Sequence, residues 1–188
     1  MEFVSQILFS VVLLCLSTTV YTYGNGAPDT ACSSMKPNHG AEASATAAPY
    51  NLQVSGSTYN PGQNITVTIT GTPEYKGFLL QAREAGTSKI VGTWLSPPNN
   101  TKLLECTGSN AVTHANNQLK TGLVYTWMAP KSDAPKKVVF QATVVKVKAE
   151  FWMNILSSEF QLNGATSGLK YSACVLFSLL TVSLIRSI

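Results

Sequence analysis

Residues 63–71 read QNITVTITG, and the alternation is strict. Ile65, Val67 and Ile69 fall on one side of an extended chain, and Thr66, Thr68 and Thr70 fall on the other. Successive side chains of a strand point to opposite faces, so this segment is a half-buried antiparallel strand. Pro61-Gly62 precedes it and Gly71-Thr72-Pro73 follows it, both turn signals.

Outward from this strand the pattern repeats. YNLQVSGSTY (50–59) is a weaker strand, and KGFLLQARE (76–84) is a strong one that stops at Gly86. KIVGTWLS (89–96) runs into the loop Pro97-Pro98-Asn99-Asn100. TKLLECTG (101–108) and NAVTHAN (110–116) are short candidates. LVYTWMAP (123–130) places Val124, Thr126 and Met128 on one face and Tyr125 and Trp127 on the other. KKVVFQATVVKVKAEFWMNIL (136–156) changes parity, which predicts one long strand, a bulge or turn near Lys148-Ala149-Glu150, and a second strand. Seven to nine short strands separated by loop signals predict an all-β chain, an antiparallel β-sandwich. No fixed-period repeat or second domain is visible.

The two ends differ from this body. Residues 1–23 are predicted to be a secretory signal peptide, with an apolar run from about Ile7 to Leu16 and polar residues after it. Residues 163–188 combine small residues, a polar spacer and a short apolar tail, the ingredients of a GPI-attachment signal. Asn163 or Gly164 would be the attachment residue, and a short retained anchor is the alternative. This predicts an extracellular product, held at the outer membrane leaflet through its C-terminal anchor or secreted. About 140 residues remain between the ends, enough for one domain with its own core.

The chain has 188 residues, 13 Lys and Arg, 9 Asp and Glu, and a net charge of +4. Lys136-Lys137 and Lys146/Lys148 are its densest basic places, and no run has the length that nucleic-acid binding needs. Two sequons, Asn64-Ile65-Thr66 and Asn99-Asn100-Thr101, mark Asn64 and Asn99 as glycosylation candidates beside turns.

Of the four cysteines, Cys15 lies in the leader and Cys174 in the tail. That leaves Cys32 and Cys106, and an isolated pair in an oxidising compartment most often forms a disulfide. A zinc site would need His39 and His114 to complete four ligands, and the Cys32–His39 and Cys106–His114 spacings match no standard set. A catalytic thiol is the third alternative, without support from a reduced compartment. Pro28, Pro37 and Pro49 argue for an extended N-terminal arm.

Four segments, in this order, carry a family resemblance: GAPDTACSSMKPNHG (26–40), LLECTGSNAVTHAN (103–116), YTWMAP (125–130) and VVFQATVVKVKAEFWMNILSSEF (138–160). Together they resemble reeler (reelin-type) domains across residues 24–162. The chain looks like a single-domain member similar to small insect defence proteins. The resemblance implies an immunoglobulin-like sandwich, an extracellular setting, and pairing of Cys32 with Cys106. Some members carry further cysteines and this chain does not, so its second half would be held by packing alone.

The acidic residues are scattered, and no HExxH, GxSxG or phosphate-binding Gly-rich loop is present. The reading is a non-enzymatic module without a cofactor or metal. Its expected partners are microbial polysaccharide or lipopolysaccharide, or an extracellular protein in an adhesion role. Tyr59, Tyr75 and Trp94 would stack on sugars, and Lys136, Lys137, Lys146 and Lys148 would meet phosphates. Tyr59 and Tyr75 flank turns and are expected at the surface, Trp127 and Trp152 are expected in the core, and Trp94 is balanced between the two.

Overall fold

A computed structural model describes residues 24–164. The predicted leader and the tail beyond Gly164 lie outside the described residues. Eleven strands form two sheets: β1 (Tyr50–Val54), β2 (Thr58–Tyr59), β3 (Asn64–Gly71), β4 (Gly77–Glu84), β5 (Thr93–Trp94), β6 (Thr101–Cys106), β7 (Ser109–His114), β8 (Val124–Met128), β9 (Lys137–Val147), β10 (Glu150–Leu156) and β11 (Phe160–Leu162). The smaller sheet has the order β1-β3-β8-β5. The larger runs β2-β11-β9-β4-β7-β6, with β10 also paired to β9. All pairings are antiparallel except β2 with β11. The count exceeds the expected seven to nine because β2, β5 and β11 are only two or three residues long.

The alternation of β3 has the predicted effect. Ile65, Val67 and Ile69 are buried, and β8 turns Tyr125 and Trp127 the same way. They meet Phe78, Leu80, Val112, Phe140, Val144 and Phe160 of the other sheet. The centre is aromatic: Trp127 lies edge-on to Phe140 with ring centroids 5.3 Å apart, and Phe140 contacts Trp94 at 5.8 Å. Edge-to-face pairs add to the area they bury, because the electropositive ring edge meets the electron-rich face. Trp127 Nε1 donates to the Val91 carbonyl at 2.9 Å, which satisfies its polar atom. Gly92 has φ 69°, and a Cβ there would collide with the Trp127 indole, so this turn admits only glycine.

Near Lys148-Ala149-Glu150 the parity change is a turn: β9 ends at Val147 and β10 returns antiparallel from Glu150, with register shifts along the pair. β10 and β11 follow each other along one edge of β9, while β4 takes the opposite edge. The arm is not wholly extended. One helical turn, α1 (Ala31–Ser34), sits between Pro28 and Pro37. Proline at the start of a turn costs no hydrogen bond there, and the Pro28 carbonyl accepts from the Ala31 amide at 3.0 Å.

Candidate functional site

Strand β4 decides where the site lies. Its inward residues, Phe78, Leu80 and Ala82, enter the aromatic core. Its outward residues, Leu79, Gln81 and Arg83, are buried as well. The cover on that outer face is the N-terminal arm. Ala31 and Met35 of the arm pack on Leu79 and Ala111 of the sheet, with Ala27, Leu104 and Cys106 at the margin.

Five ties hold the arm down. A disulfide joins Cys32 to Cys106, with Cα atoms 5.8 Å apart. Gln81 Nε2 donates to the Cys32 carbonyl at 2.9 Å. Arg83 Nη2 donates to the carbonyls of Cys32 at 3.0 Å and Ser33 at 3.1 Å, while Arg83 Nε donates to Gln81 Oε1 at 2.8 Å. The guanidinium thus satisfies carbonyl groups that a helix end leaves open, with a cation where the backbone dipole favours one. Thr143 Oγ1 donates to the Met35 carbonyl at 2.8 Å, and the Ala27 amide donates to Thr113 Oγ1 at 2.9 Å.

The arm does not close completely on the sheet. Between them lies a groove of about 340 Å³. Ala31, Met35, Leu79, Val145 and Val147 supply its apolar wall, and Gly77 lies at its floor. A Cβ on Gly77 would sit 3.3 Å from His114 Cε1 and 3.4 Å from the Val145 Cβ, so any larger residue would crowd this floor. Lys76 and Lys148, both exposed, line the groove, as do His39 and His114. No carboxylate is among the described lining residues.

The two histidines of the groove are engaged. His39 Nδ1 donates to the Lys148 carbonyl at 3.1 Å, and its ring meets Phe151 edge-on at 5.9 Å. Burial, and secondarily the Lys148 ammonium, lower the His39 pKa against the raising effect of that hydrogen bond. The Phe78 amide donates to His114 Nδ1 at 3.3 Å. One wall is fixed from behind by Lys120, which is 3% exposed and donates to the carbonyls of Lys76, Asn116 and Gln118 at 3.0, 2.9 and 2.7 Å. Desolvation lowers the Lys120 pKa, and three carbonyl dipoles are its compensation.

Family comparison adds to this geometry. The reeler domain family model matches residues 30–167. The chain belongs to the reeler family. This reeler chain is 41% identical over 157 residues to "Putative defense protein 3" of Antheraea mylitta, covering 80% of the chain and 94% of that protein. It is 37% identical over 164 residues to "Putative ferric-chelate reductase 1" of Danio rerio, where the match covers 85% of the chain but only 28% of the relative. The human F-spondin reeler domain has the same fold, with a TM-score of 0.55 at 19% identity, covering 65% of this chain and 94% of that one.

Three of the sequence-predicted ligand contacts are core residues instead. Tyr59 is fully buried, its ring stacked on Phe160 at 5.8 Å and its hydroxyl donating to the Pro135 carbonyl. Tyr75 lies between Tyr50 and Phe78, edge-on to both. Trp94 packs on Phe140, and its backbone is held by the Asn110 amide through bonds of 2.7 and 3.1 Å. Each flanks a turn, but the turn lies at the margin of the inter-sheet space and the ring points in. Trp127 and Trp152 are buried, as expected.

Lys136 and Lys137 are exposed, on a different surface from the groove, and Lys137 pairs with Glu159 at 2.6 Å. Asn64 and Asn99 are both exposed. Asn163 donates from Nδ2 to Asn60 Oδ1 at 3.0 Å, and Gly164 is the last described residue. Lys148 was among the expected phosphate contacts, and the other groove residues were missed because they come from separate segments. One signal was available: KGFLLQARE lacks the alternation of β3, and adjacent apolar residues such as Leu79 and Leu80 mark a strand covered on both faces.

Proposed function

We propose that this chain is an extracellular recognition module of the innate-defence type, which binds microbial surface glycans or lipopolysaccharide. The observation that carries the lipopolysaccharide part of this reading is the groove under the arm: apolar walls, two lysines and two histidines around it, and no described carboxylate. Such a lining favours a ligand with both apolar and anionic parts, and lipopolysaccharide has both. Similarity spanning 94% of a relative named as a defence protein supports the biological setting. The reductase activity named for the Danio rerio relative is not proposed, since the match spans 28% of that protein.

In this reading the module is tethered through Asn163 or Gly164 by a GPI anchor, or released, and it carries glycans on Asn64 and Asn99. Release by phosphoinositide-specific phospholipase C tests the tether, and a mobility shift on enzymatic deglycosylation tests the sequons. The function itself is tested by capture of the purified protein on immobilised lipopolysaccharide, β-glucan and peptidoglycan. Saturable capture at micromolar concentration is expected on at least one of them. Absence of capture on all three overturns the defence reading in favour of adhesion to an extracellular protein.

A further inference from the structure

We propose that the groove between the arm and the outer face of the larger sheet seats the acyl chain of one anionic amphiphile, its phosphate or carboxylate head held by Lys76 and Lys148. This rests on the proposed function only for the microbial source of the ligand. The site itself is argued from its chemistry.

The volume of about 340 Å³ lies at the lower end of small-molecule sites, enough for a chain and not for a bulky oligosaccharide. A sugar would require several free donors and acceptors. The Thr143 hydroxyl is already bonded to the Met35 carbonyl and the His39 Nδ1 to that of Lys148, which leaves the exposed amides of Asn38 and Asn117 as the neutral polar side chains open to a ligand. Among the described residues no aromatic ring is exposed as a platform for sugars, since Tyr59, Tyr75 and Trp94 are in the core.

Charge selects the head group. Lys36, Lys89, Lys137 and Lys146 are each paired with a glutamate. Lys76 and Lys148 have no ion-pair partner among the described residues, yet they line the same apolar groove. Val147, an exposed aliphatic at 42%, stands beside Lys148 at this groove. An apolar side chain left in water next to an unneutralised ammonium is the arrangement an amphiphile completes: its chain covers the valine and its head meets the lysine.

The test is calorimetric titration of the purified protein with dodecyl phosphate, below its micelle-forming concentration. Saturable one-to-one binding is expected. Each methylene removed should weaken binding about fourfold, so octyl phosphate binds far more weakly, and dodecyltrimethylammonium does not compete. The double variant Lys76→Gln/Lys148→Gln, altered only at exposed positions, should lose about tenfold in affinity, the scale of one or two charge-assisted contacts. Ala27→Phe should fill the groove and abolish binding. If that variant misfolds by circular dichroism, Val147→Glu places a repelling carboxylate at an exposed position and serves instead.

Absence of saturable binding, equal affinity for the cationic amphiphile, or wild-type binding by the folded variants would each overturn the proposal. Lipid A and phosphatidylglycerol vesicles then distinguish a microbial from a general phospholipid source, and binding of either supports the shared chemistry. Capture on β-glucan or peptidoglycan without dodecyl phosphate binding would remove the groove assignment alone. Dodecyl phosphate binding without capture on any microbial polymer would remove the defence reading alone.

Discussion

The two faces of strand β4 are both buried, by different means. The inner face meets another sheet, and its partners are Trp127, Phe140, Tyr125 and their neighbours, large rings locked in edge contacts. The outer face meets a stretch of chain with one helical turn, and its partners are backbone carbonyls reached by Gln81 and Arg83, with Thr143 of the neighbouring β9 reaching another. The first kind of burial is dense and carries the stability of the domain. The second is a clamp: a disulfide and a few polar hooks hold a cover that leaves a groove beneath it. A rigid sandwich can thus present an adaptable site, since less apolar area locks the cover than locks the core.

Removing the Trp127 ring attacks the first face. Trp127→Ala should cost about 3–5 kcal/mol, because the cavity would lie among residues of both sheets that cannot collapse into it. Chemical denaturation followed by circular dichroism should show the whole transition shifted, with arm and core lost together. An arm that came off first in this variant would mean that packing of the aromatic core also holds the arm in place.

Cutting the clamp attacks the second face. Cys32 and Cys106 are 74 residues apart in sequence. Replacing both with alanine should cost roughly 2–4 kcal/mol. Hydrogen exchange should accelerate in residues 24–39, while the amides of β4 and β9 keep most of their protection. Uniform acceleration throughout would show that the bond supports the core itself.

Arg83→Met keeps much of the packing volume and removes the hooks. It should cost about 1.5–3 kcal/mol, since the Cys32 and Ser33 carbonyls lose charged donors. The loss should again appear as exchange in the arm rather than in the aromatic centre.

The last test of the comparison is pH. Burial pushes the hydroxyls of Tyr59 and Tyr75 from 10.0 up to about 12, and raises Tyr125 further. The folded state therefore holds these protons more tightly than the unfolded state. The stabilising effect is complete below pH 10 and is lost as pH rises from 10 towards 12. The expected slope is about 1.4 kcal/mol per pH unit for each tyrosine, read by denaturation at a series of alkaline pH values. Tyr59→Phe should remove one such share of the slope, and the loss should be global because that ring belongs to the inner face.

Much of the architecture was legible locally. The alternation of β3, the two faces of β8 and the parity change at Lys148-Ala149-Glu150 each state a side-chain direction, and direction is what a strand's period encodes. Burial was less legible for single rings beside turns. Tyr59, Tyr75 and Trp94 look exposable by position, and only the closing of one sheet over the other turns them inward. The run of adjacent apolar residues in β4 signalled a second cover but not which segment supplied it.

The residues alone determined that strands form, which side of each is greasy, and which cysteines were available to pair. Those properties follow from neighbours two positions apart and from composition, so a linear reading reaches them. Tertiary structure decided that Lys76, Lys148, His39 and His114 stand around one apolar groove. They come from the arm, the start of β4, the end of β7 and the β9–β10 turn, and only the docking of the arm on the sheet brings such distant segments to a common surface.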